Sequence, residues 1–251
     1  MLLKWKLCVL VIVLNYFEYD CLAQTDKLSE PWKNEHNVIV IDAYGPNIID
    51  FQKISSDNKV VGLIHKASQG FTSDDKFYER RSLAKQHNLL FGSYHLGLAG
   101  NPKKQAKFYL KTIGNYENEI LALDLEGLTS NYMSLEEAIV FIEYIHKKTN
   151  QYPVLYVNHQ VYKELNDKYN KTSVFSKCPL WYARFRKNIP SEQFKSDIWN
   201  SYFLWQFSSE LNCKKNGDCH YNVPGTRYDI DVNVFAGTKK ELTLIWHGKA
   251  Q

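Results

Sequence analysis

Apolar and polar positions fall in alternating blocks along this chain. From Val38 the apolar runs are Val38–Ala43, Val60–Ala67, Leu89–Leu96, Ile120–Leu125, Pro153–Val157, Leu180–Ala183, Phe203–Phe207 and Ile230–Val234. Each is short and rich in Val, Ile, Leu or aromatics, the mark of strands buried on both faces of a parallel sheet. Segments with helical character lie between most of them: Asp50–Ser55, Asp74–His87, Asn101–Ile113, Ser134–Lys148, Gln160–Asp167 and Lys239–Ile245. Pro102 suits a first helical turn. Ser134 followed by Glu137 makes a capping box before Leu135, Ala138, Ile139, Ile142 and Ile145 at helical spacing. Eight strands with intervening helices predict an α/β fold, an irregular TIM-like β/α barrel with eight strands and fewer helices. The helices weaken in the last third, where the irregularity is expected. The alternative is an open doubly wound sheet, but no Gly-rich phosphate loop follows the first strand, which argues against a nucleotide-binding version.

The first residues follow another pattern. Lys4 and Lys6 precede the apolar run Leu7–Leu14, and Cys21-Leu22-Ala23 offers small residues for a cut after Ala23. Residues 1–23 read as a secretory signal peptide, with an uncleaved membrane anchor as the alternative. The run falls short of the roughly 20 apolar residues of a membrane span, so no stable membrane insertion is expected. Residues 24–37 read as an N-terminal extension and 38–251 as one domain.

The formal charge is +4, and cleavage removes two Lys and two acids, leaving it unchanged. That favours approach to an anionic wall and is too small to argue for nucleic acid. Cleavage also leaves three of the five cysteines. Cys213 and Cys219 bracket a turn-rich segment and are expected to pair in an oxidising compartment, while Cys178 reads as a buried free thiol.

In a β/α barrel the chemistry gathers at the carboxyl ends of the strands. Those ends carry Asp42, Lys66, Tyr94-His95, Asp124 with Glu126, Tyr156 with Asn158, Trp181, Trp205-Gln206 and Asp231. Asp124-Leu125-Glu126 is the sharpest feature. Positions i and i+2 of a strand share a face, so both carboxylates should enter one cavity. Crowded and partly desolvated, they cannot ionise equally, and a carboxyl kept protonated is what cleavage of a glycosidic bond requires. A lone Asp-x-Glu also fits a helix cap or a pair with Lys66; its register with Asp42 and Asp231 favours the chemical reading. Asp229, Asp231 and Asn233 share a face and raise metal binding as a rival, but calcium-loop spacing and a His/Cys ligand set are missing, so neither metal nor cofactor is expected. His95 reads as support to the site and not as its base.

These residues resemble family 25 glycoside hydrolases, the Chalaropsis-type lysozymes (N-acetylmuramidases). Ile41-Asp42 with Ile49-Asp50-Phe51, Lys66-Ala67-Ser68-Gln69-Gly70, Gly92-Ser93-Tyr94-His95, Asp124-Leu125-Glu126, Leu204-Trp205-Gln206-Phe207-Ser208 and Ile230-Asp231-Val232-Asn233 are similar, in order, to that family's blocks. Two positions depart: Tyr44 stands where the family usually has Ser, and Gln69 where Glu is common. The resemblance implies hydrolysis of the β-1,4 bond between N-acetylmuramic acid and N-acetylglucosamine in bacterial peptidoglycan; the leader points to a secreted protein, and a monomer is expected. It implies Glu126 as general acid, Asp124 orienting or charge-stabilising the substrate's acetamido group, and Asp42 and Asp231 in the same pocket. Tyr94, His95, Lys66, Tyr156, Asn158, Trp181, Trp205 and Gln206 would contact the sugars. A non-catalytic peptidoglycan- or chitooligosaccharide-binding protein on the same scaffold is the alternative, disfavoured by the intact acids.

Overall fold

The computed structural model describes residues 27–248, so the leader reading of residues 1–23 lies outside the described residues. Strands β1 (Val38–Ala43), β2 (Val60–Gln69), β4 (Leu90–Leu96), β5 (Ile120–Leu125), β6 (Val154–Asn158), β7 (Leu180–Ala183) and β8 (Leu204–Ser208) pair in parallel around a barrel, and β9 (Asp231–Phe235) closes it. A two-residue strand, β3 (Thr72–Ser73), folds back on the end of β2. All eight expected strands are present. The sheet is not wholly parallel, however: β9 runs antiparallel to both β8 and β1.

Five helices follow the first strands: α1 (Phe51–Ile54), α2 (Phe77–Gln86), α3 (Pro102–Ile113), α4 (Leu135–Thr149) and α5 (His159–Lys168). Between β7, β8 and β9 the described chain has no α-helix, only a 3₁₀ turn at Ser191–Gln193. The capping box of α4 forms as expected: Ser134 Oγ accepts from Glu137 N, and the Glu137 carboxylate accepts from Ser134 N. This helix buries Leu135, Ala138, Phe141, Ile142 and Ile145.

Strand alternation divides the apolar residues into two cores. Val38, Val40, Ile64, Ile120, Ala122, Val154 and Leu204 fill the barrel interior. Ile39, Ile41, Leu121, Leu123, Leu155 and Val232 face outward against helices and loops. A sixth helix, α6 (Lys239–Trp246), closes the end of the barrel opposite the strand tips. It inserts Leu242 and Trp246, and the Trp246 indole donates to the Phe91 carbonyl at 2.9 Å. Glycine is needed beneath it: a Cβ on Gly92 would lie 2.6 Å from Ile120 Cγ1 and 3.2 Å from the Trp246 ring.

The segment expected as an extension is part of the packed domain where it is described. Leu28 and Trp32 are buried, and Trp32 stacks on Phe207 at 3.9 Å between ring centres. Cys213 and Cys219 are joined as a disulfide, and Cys178 is a buried free thiol. Among the described residues no helix is long and apolar enough to cross a membrane.

Candidate active site

The open end of the barrel collects carboxylates because inward positions alternate along each strand. On β1 the inward series Val38, Val40 ends at Asp42, and on β5 the series Ile120, Ala122 ends at Asp124, with Glu126 just beyond the strand. Asp42 pairs in register with Asp231 across β1 and β9, and Asp124 with Tyr156 across β5 and β6. Asp231 does not sit at the carboxyl end of its strand, as the sequence pattern suggests, but opens it. It reaches the same end of the barrel because β9 runs the opposite way.

Beneath the acids lies a buried hydrogen-bond network. Tyr156 Oη donates to Gln206 Oε1 at 2.9 Å, and Gln206 Nε2 donates to Asp42 Oδ2 at 2.9 Å. Asn233 Nδ2 donates to the same oxygen at 2.7 Å, and Trp181 Nε1 donates to Asn233 Oδ1 at 2.6 Å. Trp181 meets Tyr156 edge-on at 4.9 Å and Tyr94 at 6.4 Å, so the three rings form an aromatic floor. Asn233 is a working member that was not among the expected site residues, although the alternation of Asp231-Val232-Asn233 places it on the inward face.

Burial sets the acidities. Desolvation pushes Asp42 up to about 6, against the donors Asn233 and Gln206, and the charge of Glu126 adds to the rise. Asp124 and Asp231 lie well above the usual carboxylate range, again first through burial and then through neighbouring acids. Asp124 Oδ1 is buried and has no hydrogen-bond partner among the described residues. Glu126 differs from the others: its side chain is open at the rim, yet surrounding protein displaces enough water to raise its pKa, with Lys66 pulling the other way. It is therefore the most open of the four acids and also tends to hold its proton, whereas Asp231 is only partly exposed and Asp42 and Asp124 are buried.

Several expected contacts take other roles. His95 and Trp205 face away from the barrel interior, each adjoining an inward neighbour (Tyr94, Gln206), because consecutive strand residues alternate. His95 is buried between Ser68 Oγ and Gln105 Oε1, and burial lowers its pKa to about 4. The Trp205 indole donates to the Arg184 carbonyl and its ring packs edge-on against Trp32. Neither can touch a ligand held by the acids. Asn158 donates to the Glu126 carbonyl at 2.6 Å and caps α5 through Val161 N, so it positions the loop that carries Glu126. Gln206 spends both ends of its amide in the network. Lys66 stands at the rim, its ammonium 4.5 Å from the centre of the Tyr44 ring.

Two hollows lie beside the loops that follow the strand tips, and none of the four acids lines either. One of about 470 Å³ is lined by Gly45, Pro46, Lys66, Gln69 and Asp74, the other of about 360 Å³ by Gly127, Leu128, Tyr132 and Glu136. A larger hollow of about 560 Å³ lies in the disulfide-bonded loop against the outward side chains Ile230 and Val232, away from the acids. Among the described residues no group of three His, Cys, Asp or Glu side chains has the arrangement to hold a metal ion.

The fold is shared with solved structures of low sequence identity. A bacterial lysozyme from Streptomyces coelicolor superposes with a TM-score of 0.71 at 20% identity, covering 86% of this chain and 100% of that one. A muramidase from Acremonium alcalophilum gives 0.66 at 21% identity over 84% of this chain and 99% of its own. A family GH25 lysozyme from Aspergillus fumigatus gives 0.65 at 21% identity over 82% and 97%. No curated protein matches the sequence. Residues 41–216, more than half the chain, match Glycosyl hydrolases family 25. Asp42, Asp124 and Glu126 fall inside that span and Asp231 beyond its end, and the chain belongs to family 25 of the glycosyl hydrolases and is a glycosidase.

Proposed function

We propose that this protein is a secreted lysozyme, an N-acetylmuramidase that hydrolyses the β-1,4 bond between N-acetylmuramic acid and N-acetylglucosamine in bacterial peptidoglycan. The observation that carries this is the gathering of Asp42, Asp124, Glu126 and Asp231 at one barrel mouth, with Glu126 the most open of them. A general acid must reach the glycosidic oxygen while protonated, and a raised pKa at an open rim meets both needs. The solved structures that share this fold include a lysozyme and a muramidase, in keeping with this substrate.

Glu126 protonates the leaving oxygen and then, as a carboxylate, takes a proton from the incoming water. Asp124, whose buried Oδ1 lacks a protein partner, is suited to hold the acetamido group of the sugar beside the breaking bond. In that position the acetamido oxygen can serve as internal nucleophile, the substrate-assisted route. Asp42 and Asp231 line the pocket, Gln206 and Asn233 orient Asp42, and Tyr94, Tyr156 and Trp181 make its floor. Residues 1–23 direct export, and the enzyme works as a monomer on the anionic wall, towards which its positive charge draws it.

Mass spectrometry of digested peptidoglycan tests the bond: new reducing ends should be N-acetylmuramic acid, and N-acetylglucosamine ends would overturn the assignment. Glu126→Gln should lose at least about a thousandfold in kcat, within the span attributed to acid–base groups, while melting normally and still binding glycan. Wild-type turnover in that variant would remove Glu126 from its role. N-deacetylated glycan should be cut very slowly; equal rates on both substrates would rule out the acetamido nucleophile.

A further inference from the structure

We propose that Tyr44 is a preorganised platform for a sugar ring of the substrate, and that Arg80 is the positioning residue that fixes it. The proposal deepens the lysozyme reading and rests on it. Tyr44 follows β1 directly, two residues after Asp42, and is 41% exposed. Lys66 Nζ covers one face of its ring at 4.5 Å, a cation–π contact that leaves the rest of the ring open at the mouth of the site. Flat rings in such positions offer large contact area at little entropic cost, because few torsions have to be frozen. The hollow of about 470 Å³ lined by Gly45, Pro46 and Lys66 continues from this point.

The backbone that carries Tyr44 is held from several sides. Tyr44 N donates to Asn47 Oδ1, Asn47 Nδ2 donates to the Asp229 carbonyl, and Gly45 N donates to Asp74 Oδ2, each at 2.8 Å. Arg80, on α2, is buried and forms no ion pair among the described residues. Its guanidinium instead donates to the Tyr44 carbonyl at 2.7 Å, to the Gly45 carbonyl at 3.1 Å and to the Asn47 carbonyl. It also donates to His65 Nε2 at 3.0 Å. A guanidinium has no acceptor, so His65 Nε2 is unprotonated and its Nδ1–H donates to the Lys66 carbonyl at 2.8 Å. Arg80 thus grips the backbone of Tyr44 directly and that of Lys66 through His65, the two residues whose side chains meet in the platform. A buried cation is costly unless fully hydrogen-bonded, and here its bonds converge on one rim loop.

Steady-state kinetics on soluble glycan strands prepared from purified peptidoglycan tests this. Tyr44→Ala and Tyr44→Ser should raise KM about tenfold, a loss of about 1.4 kcal/mol, with kcat little changed, and Tyr44→Phe should stay near wild type. Arg80→Lys should raise KM as well, and should add little to Tyr44→Ala when the two are combined. KM does not depend on the folded fraction, so a purely structural role of Arg80 would lower the yield of active enzyme and leave KM alone. Wild-type KM in Tyr44→Ala overturns the platform, and additive effects of the two substitutions overturn the positioning role. If the wild-type protein released no reducing ends, the hydrolytic reading would fall. Calorimetric binding of the same strands to wild type and Tyr44→Ala would then still decide the platform.

Discussion

Burial of Asp42 among Gln206, Asn233 and the barrel interior pushes its carboxyl up to about 6, whereas a free Asp titrates near about 3.9. The folded protein therefore binds this proton more tightly than the unfolded chain. Its contribution to folding becomes unfavourable as pH climbs from about 4 to about 6 and stays so at neutrality. Asp124 and Asp231 act in the same direction. Both donors to Asp42 reach the same oxygen, Oδ2, which an amide oxygen can replace. Asp42→Asn should thus melt at a higher temperature than wild type at pH 7, with the gain shrinking towards pH 4 and activity reduced at both. Thermal melts at the two pH values check this, and an unchanged or lower melting temperature at pH 7 would contradict the sign. At this scale the sequence was informative where one short rule applies: Asp124-x-Glu126 at a strand end places two carboxylates on one face, and they are found there. It was misleading where that same rule was set aside. Consecutive residues such as Tyr94-His95 and Trp205-Gln206 cannot both point inward, so the sugar contacts that the resemblance implies for His95 and Trp205 conflict with the alternation of their own strands.

Among the elements, strand existence was legible because eight apolar runs are separated by turn residues or amphipathic helices. Strand direction was not, since an apolar run has no polarity of its own. The reversal of β9 rests on the loop that brings the chain back to the mouth between β8 and Asp231. Helix α6 was equally legible as a helix, but its capping box at Thr238 and Glu241 and its task as a plug emerge only from the structure. Trp246 fills the space over Gly62 and Gly92, where a Cβ would approach the indole at 3.5 and 3.2 Å. Removing that ring leaves a cavity that the rigid strands cannot collapse, and such truncations cost roughly 3–5 kcal/mol. Trp246→Ala should lower the denaturation midpoint by that amount, while kcat of the remaining folded enzyme stays near wild type, because the plug and the acids occupy opposite ends. A loss of kcat without loss of stability would show that the two ends are coupled.

For the molecule as a whole, the described part of the segment before the first strand supplies the cover that the missing helices do not. Among the described residues no α-helix lies in the chain between β7 and β9, and Trp32 stacks on the outer face there against Phe207 and meets Trp205 edge-on. The segment is tied down at several points. Glu30 N donates to the Lys187 carbonyl and Ile189 N to the Leu28 carbonyl, both at 2.8 Å, and Lys59 Nζ donates to the Trp32 and Asn34 carbonyls. A polar-looking stretch read as an extension hid this, since one Trp and one Leu give no periodic signal. A form starting at Gln24, the first residue after the expected cleavage, retains this cover. A form starting at Val38 lacks it and leaves the outer faces of Trp205 and Phe207 to water. The longer form should melt cooperatively. The shorter should melt at a distinctly lower temperature or accumulate insoluble, and Trp32→Ala in the longer form should reproduce much of the loss, since deleting a buried Trp costs about 3–5 kcal/mol. Equal melting temperatures for all three proteins would mean that β8 is stable without its cover and that residues 27–37 are not part of the folding unit.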